Sequence, residues 1–178
     1  RYPDVGVIMM NFAGGSDDGN VHTGFVETVI NLNNFSDSLR IGSQTWMNHN
    51  LRVSKYSNGD VIPHVQDPVE WSKLTTGAWC YYNNDSTHGV FDGKLYNWYA
   101  VHDPRGLAPT GWRVASDNDW NTLADFLGGW QVAGGKLKDA GYLHWSQPNT
   151  GGMNNVLFTA TPAGMRNGDG SFTGVNAT

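Results

Sequence analysis

Glutamate, cysteine and long apolar runs are what this chain has least of. Glu27 and Glu70 are the only glutamates among 16 acidic residues, so aspartate carries most of the negative charge. Aspartate favours turns and caps over helix interiors, which argues against a helical bundle. Cys80 is the single cysteine, which excludes an internal disulfide and a thiolate zinc cluster and leaves the redox compartment open. No apolar run approaches the roughly 18 residues of a membrane-spanning helix; the longest, residues 5–10, is strand-sized. The 11 basic residues are scattered, so no electrostatic track for nucleic acid is expected. His22, His49, His64, His88, His102 and His144 form no i, i+4 or alternating pair, so no zinc site is expected. No phosphate-binding glycine loop, nucleophile elbow or Ser/His/Asp set is visible. The two glutamates lie far apart, and nothing selects a carboxylate pair for glycoside hydrolysis.

What the chain does have is glycine and tryptophan, with 23 Gly and 8 Trp in 178 residues and a net charge of −5. That is a loop-rich chain anchored by large aromatics, long enough to bury a core as one domain. It begins at Arg1 with neither an initiator Met nor a signal peptide, and reads as a processed or trimmed product.

Residues 1–38 read as a strand-rich arm. Residues 5–10 and 25–30 are β-branched strands around the turn cluster 14–20, a hairpin able to pack on the domain or pair with a neighbour's sheet edge. Residues 39–53 read as strand, turn and strand, Gly59-Asp60 as a turn, 71–74 as a helical turn and 77–82 as a buried strand. Two helices are expected. One runs over 94–102, with Leu95, Trp98 and Tyr99 on its apolar face. The other starts at Ser116 with Asp119 completing a capping box, buries Trp120, Leu123, Phe126 and Leu127, and stops at Gly128-Gly129. Short strands and Gly/Asn turns fill the rest, including 157–161, 164–166 and the turn 167–170.

Ordered blocks then carry a resemblance. Ile41-Gly-Ser-Gln-Thr-Trp-Met, Asn50-Leu-Arg-Val, Gly77-Ala-Trp-Cys-Tyr-Tyr-Asn-Asn, Gly93-Lys-Leu-Tyr-Asn-Trp-Tyr-Ala-Val, Arg105-Gly-Leu-Ala-Pro-Thr-Gly-Trp-Arg-Val and Phe158-Thr-Ala-Thr-Pro-Ala-Gly occur in sequence. Over roughly 39–174 they resemble the Fibrobacter succinogenes major paralogous domain. The resemblance implies an α+β, C-type lectin-like fold, related to that of the formylglycine-generating enzyme, with two short helices on small twisted antiparallel sheets. It also implies an exported bacterial surface protein, often a lipoprotein or adhesin-like chain. Relatives continue into a Trp-Trp-Ser-Ser block and a Val-Arg-Cys strand, whereas this chain ends at Thr178. The domain 39–178 is therefore expected to be C-terminally incomplete, by truncation, proteolysis or completion from another chain. The absent cysteine is the implied partner of Cys80, and a lone cysteine departs from the pair used by the sulfatase-activating relatives.

Trp46, Trp79, Trp98, Trp112 and Trp120 are expected in the core. Trp130 and Trp145, near glycine-rich loops, are the candidates for stacking on a sugar ring or docking on a partner. Gln147-Pro148-Asn149 is similar to the triplet that aims side-chain carbonyls at calcium and sugar in calcium-dependent lectins, and is also an ordinary Pro-Asn turn. No cofactor is expected; calcium is the alternative, at oxygen-rich turns holding Asp85 or Asn167 and Asp169, or at 17–20. Ser38 and Ser86 follow Asp as in a short bacterial O-glycosylation signal and are placed in loops.

The leading expectation is a non-catalytic extracellular binding or adhesion module recognising a glycan or a protein. A structural subunit of a filament, completed by strand exchange, is the second, and an enzyme of the formylglycine-generating or glycoside hydrolase type the third.

Overall fold

Three small sheets and four short α-helices make up the computed structural model, which describes residues 6–8, 11–12, 38–90 and 92–175. Its strands up to the middle of the chain are Gly6–Ile8 (β1), Asn11–Phe12 (β2), Ser38–Ile41 (β3), Gln44–Met47 (β4), Trp79–Cys80 (β5) and Leu95–Tyr96 (β6). Trp112–Val114 (β7), Ala163–Arg166 (β8) and Phe172–Val175 (β9) follow. The helices are Pro68–Ser72 (α1), Trp98–Val101 (α2), Asp117–Phe126 (α3) and Trp130–Leu137 (α4). The chain is α+β and loop-rich, as expected.

Antiparallel pairing holds for β3 with β4, β5 with β6 and β8 with β9. The β3–β4 turn needs Gly42, whose φ of +60° is left-handed. The two N-terminal strands depart from the expected pattern, because they add in parallel. β1 lies between β4 and β7, and β2 lies beside β6. Residues 6–8 and 11–12 therefore belong to the sheets of the body; the second strand of the expected hairpin, 25–30, lies outside the described residues.

The helices correct the sequence reading in two places. Over 94–102, Leu95 is in a strand and the helix begins only after Asn97, whose Oδ1 accepts the Ala100 N–H at 3.0 Å. Ala100 is the buried residue of α2, and Trp98 is 51% exposed. The i, i+3 spacing arises from a strand residue followed by a cap. α4 is the other correction, since its Gly134 and Gly135 had read as turns. α3 matches its expected caps. Ser116 and Asp119 form the capping box, and Gly128 and Gly129 take φ of +99° and +101°. Its apolar stripe is narrower than expected, because Leu123 and Leu127 are buried while Phe126 is 60% exposed.

Two buried clusters position the rest. Ile41 and Trp46 pack with Leu123, Leu127, Leu137 and Phe158, joining β3–β4 to α3 and α4. Met47, Ile62, Trp79, Tyr96 and Leu107 form the second, against which Trp112 and Val114 pack. A third, smaller cluster holds Trp71, Cys80 and Leu95. Arg166 enters beside it with 0% exposure. Its guanidinium donates to the carbonyls of Val65, Gln66 and Gly170 and lies over Trp71 and Phe172. Cys80 is buried and forms no disulfide among the described residues. Burial pushes its thiol pKa up, with Arg166 opposing.

Candidate functional site

Most of the exposed large hydrophobic side chains among the described residues lie between the end of α3 and residue 157. Gly128 and Gly129 turn the chain, with Gly129 N–H donating to the Ala124 carbonyl at 2.8 Å. α4 then buries Ala133 and Leu137 against α3, and Lys136 Nζ donates to the Leu127 carbonyl at 2.6 Å. Trp130 opens α4 from its first position and stays 48% exposed, its Nε1 donating to Asn121 Oδ1 at 3.2 Å. This is an oriented aromatic ring on a rigid element.

After α4 the chain makes a long excursion whose two ends are pinned together. Asp139 N–H donates to the Ala160 carbonyl, and Ala160 N–H donates to the Leu137 carbonyl, both at 2.9 Å. The excursion is thus a long loop whose ends adjoin. Trp145 is its anchor. It is 5% exposed, its Nε1 donates to the Ala160 carbonyl at 2.7 Å, and Lys138 Nζ lies 4.3 Å from its ring centroid. Trp145 is thus an interior strut, which corrects its reading as a stacking surface.

Asn149 works in the same way. Its Nδ2 donates to the carbonyls of Asp139 at 2.8 Å and Gly141 at 2.9 Å, closing the loop upon itself. Its Oδ1 is enclosed without a hydrogen-bond partner. The Gln147–Pro148 peptide is cis, and Gln147 is exposed. The triplet therefore splits, with Asn149 turned into the loop and Gln147 facing out. His144 Nδ1 lies 2.6 Å from Asp139 Oδ2, and Met153 N–H donates to the Gly135 carbonyl at 3.0 Å. The loop so braced holds Tyr142, Leu143, Met153 and Leu157 exposed, Leu143 at 83%. Sequence reasoning missed these four, which lie in a stretch rich in Gly, Asn and Thr. Their signal was apolar residues in a stretch with no period of 2 or 3.6.

The oxygen-bearing candidates lie in separate turns. Asp85 Oδ1 accepts from Thr87 N–H and Oγ1–H at 2.9 and 2.8 Å, which holds its pKa below the usual carboxylate value. Asp169 Oδ1 accepts from Ser171 N–H and Oγ–H at 2.9 and 2.6 Å, with the same effect on its pKa. Asn167 Nδ2 donates to Ser171 Oγ in that β8–β9 turn. Among the described residues no group of three or more His, Cys, Asp or Glu is placed to hold a metal ion, and residues 17–20 lie outside them. Ser38 is half-buried in β3, opposite Met47, rather than in a loop. Ser86 is exposed, at the start of the 3₁₀ turn Ser86–Val90.

A second polar cluster surrounds Trp79. His64 stacks on it at 4.0 Å and 2°, Tyr81 meets it edge-on at 5.2 Å, and Lys94 Nζ lies 3.6 Å from its centroid. Lys94 also donates to Ser54 Oγ and the Val53 carbonyl. Burial lowers its pKa, and burial followed by the nearby Lys94 and Arg166 charges lowers that of His64. These contacts satisfy the ammonium internally, so the cluster reads as structural.

A loop-rich body of small sheets with exposed aromatic and apolar side chains on α4 and the loop after it defines an α+β domain. The Fibrobacter succinogenes major domain matches residues 39–178, and the chain belongs to that family. No curated protein matches the chain, and no solved structure matches it. No helix among the described residues is long and apolar enough to cross a membrane.

Proposed function

We propose that the chain is a non-catalytic binding module of an exported bacterial surface protein, with a lectin-like body, that recognises a glycan or a protein through the face built by α4 and the loop 139–157. One observation carries this. Of the eleven large hydrophobic side chains exposed among the described residues, seven fall between Phe126 and Leu157. A monomer rarely concentrates exposed apolar side chains without a partner for them. Rigidity supports the same reading, since Trp145, Asn149 and the paired ends hold the loop before any ligand arrives. Preorganisation of this kind reduces the entropy cost of binding.

The test is a glycan array together with a pull-down from surface extracts, run beside a screen for hydrolase and oxidase turnover. Specific retention without turnover supports the proposal. Turnover without retention removes it.

A second reading has its own observation. β1 enters the sheet as a separate short strand between β4 and β7, which favours a structural subunit whose strand is exchangeable between copies.

A further inference from the structure

Sheet order places a slot at the seam between the two main cores. One wall is β4, which contributes Trp46 to the first core and Met47 to the second. The other wall is β7, whose Trp112 and Val114 pack on the second. The walls do not pair with each other. Three residues join them, with Val7 opposite Trp46 on one side and Gly6, Val7 and Ile8 opposite Trp112, Arg113 and Val114 on the other. β4 has β3 on its far edge, whereas β7 has β1 as its only strand partner among the described residues. Without β1, the facing edges of β4 and β7 are both unpaired, and an open edge is a template for another strand.

We infer that this slot is a strand-acceptor site and that its occupant in trans is the Gly6–Ile8 segment of a second copy. This rests on the second reading above and names its donor, acceptor and register. The ladder is made by backbone groups, so the same bonds form whichever copy supplies the strand. Only residues 9–10 separate β1 from β2, so β2 crosses together with β1, and residues 13–37, a connection of 25 residues, join the two to β3. Such a chain spans up to about 80 Å when extended, enough to reach a neighbour's slot. Exchange of an identical element needs no new interface and is a low-cost route to dimers, or to open chains when the exchange is not reciprocal. Concentration decides the balance. Covalent tethering gives a chain's own strand an effective concentration, of about 1 mM for a short linker, so dilute copies close on themselves and crowded copies exchange.

The experiment uses the full chain with Val7→Cys and Arg113→Cys, a pair in direct register, oxidised over protein concentrations that bracket about 1 mM. Cys80 stays, because it is buried. The expected result is a cross-linked monomer at low concentration, giving way to disulfide-linked dimers or longer chains as concentration rises. Cross-linked monomer at every concentration overturns exchange, and absence of any cross-link overturns occupancy of the slot. The out-of-register pair Val7→Cys with Arg40→Cys, on the far strand β3, has to give neither product. Equal dimer from that pair marks random collision and also overturns the inference. Light scattering on the otherwise unmodified chain supplies a second readout. Val7→Pro, which removes a ladder N–H, is expected to abolish the dimer. A dimer that survives Val7→Pro overturns strand exchange while leaving assembly by another surface standing. Glycan or protein capture enters neither readout.

Discussion

The guanidinium of Arg166 lies 4.3 Å from the ring centroid of Trp71, and its Nη1 donates to the Val65 carbonyl at 2.7 Å. Arg166 thereby ties the β8–β9 hairpin to the loop before α1 across a hundred residues of sequence. With Val65, Gln66 and Gly170 it satisfies three carbonyls from the interior. Arg166→Met removes all three donors, and each buried orphan costs about 1–3 kcal/mol. A loss of at least about 3 kcal/mol in urea unfolding is expected. A loss below about 1 kcal/mol would show that water replaces the guanidinium.

Asp119 gives the fold an acid-sensitive element. The Arg113 guanidinium first, and the Ser116 hydroxyl and N–H after it, hold its pKa at about 2 against burial. A depressed folded-state pKa stabilises above the unfolded value, near 3.8, and that stability is lost as pH falls toward 2. Arg113 is about half-exposed, so screening reduces the ion-pair part to about 1 kcal/mol. Asp119→Asn is expected to lower stability by about 1–2 kcal/mol at pH 7, through the pair and the capping box together. The gap between variant and parent should narrow as pH drops from 4 to 2, followed by urea midpoints. A gap independent of pH in that window contradicts the assignment.

Adjacent glycines in α4 are expected to respond with opposite signs. A Cβ added to Gly134 meets nothing within 4 Å, whereas one added to Gly135 lies 2.5 Å from the Gly151 carbonyl oxygen. Gly134→Ala should raise stability by about 1 kcal/mol, through helix propensity alone. Gly135→Ala should lower it by about 1–3 kcal/mol, because backbone is overpacked against backbone. Thermal melts of the two variants read the signs directly, and a gain in both would mean that the 139–157 loop is not seated on α4.

The capping box at Ser116, the glycine stop after α3 and the β3–β4 turn were legible because each is a local rule met by local residues. α2 was misplaced because Leu95, Trp98 and Tyr99 imitate a helical stripe, while Asn97 acts as the cap between a strand and a helix. α4 was missed because Gly-Gly usually ends helices; here Gly135 is demanded by the approach of Gly151. At the candidate site Trp130 is exposed and Trp145 is buried, a difference the sequence hides, since a tryptophan beside glycines looks alike whether it braces a loop or faces out of it. The partners that decide the matter, Lys138 and the Ala160 carbonyl, are set by how the loop closes. The slot filled by β1 was out of reach for a similar reason, because parallel pairing depends on contacts distant in sequence.

The most direct test of the binding face compares the parent with a chain carrying Trp130→Ala and Leu143→Ser on the same glycan array and pull-down. Leu143 is 83% exposed and Trp130 half-exposed, so the urea midpoint should move by no more than about 2 kcal/mol in equivalent stability, leaving the chain folded. The predicted result is a parent that retains a defined set of partners and a variant whose retention falls at least about tenfold. A folded variant that retains the same partners as strongly as the parent, or a parent that retains nothing, would contradict the assignment of function to this face.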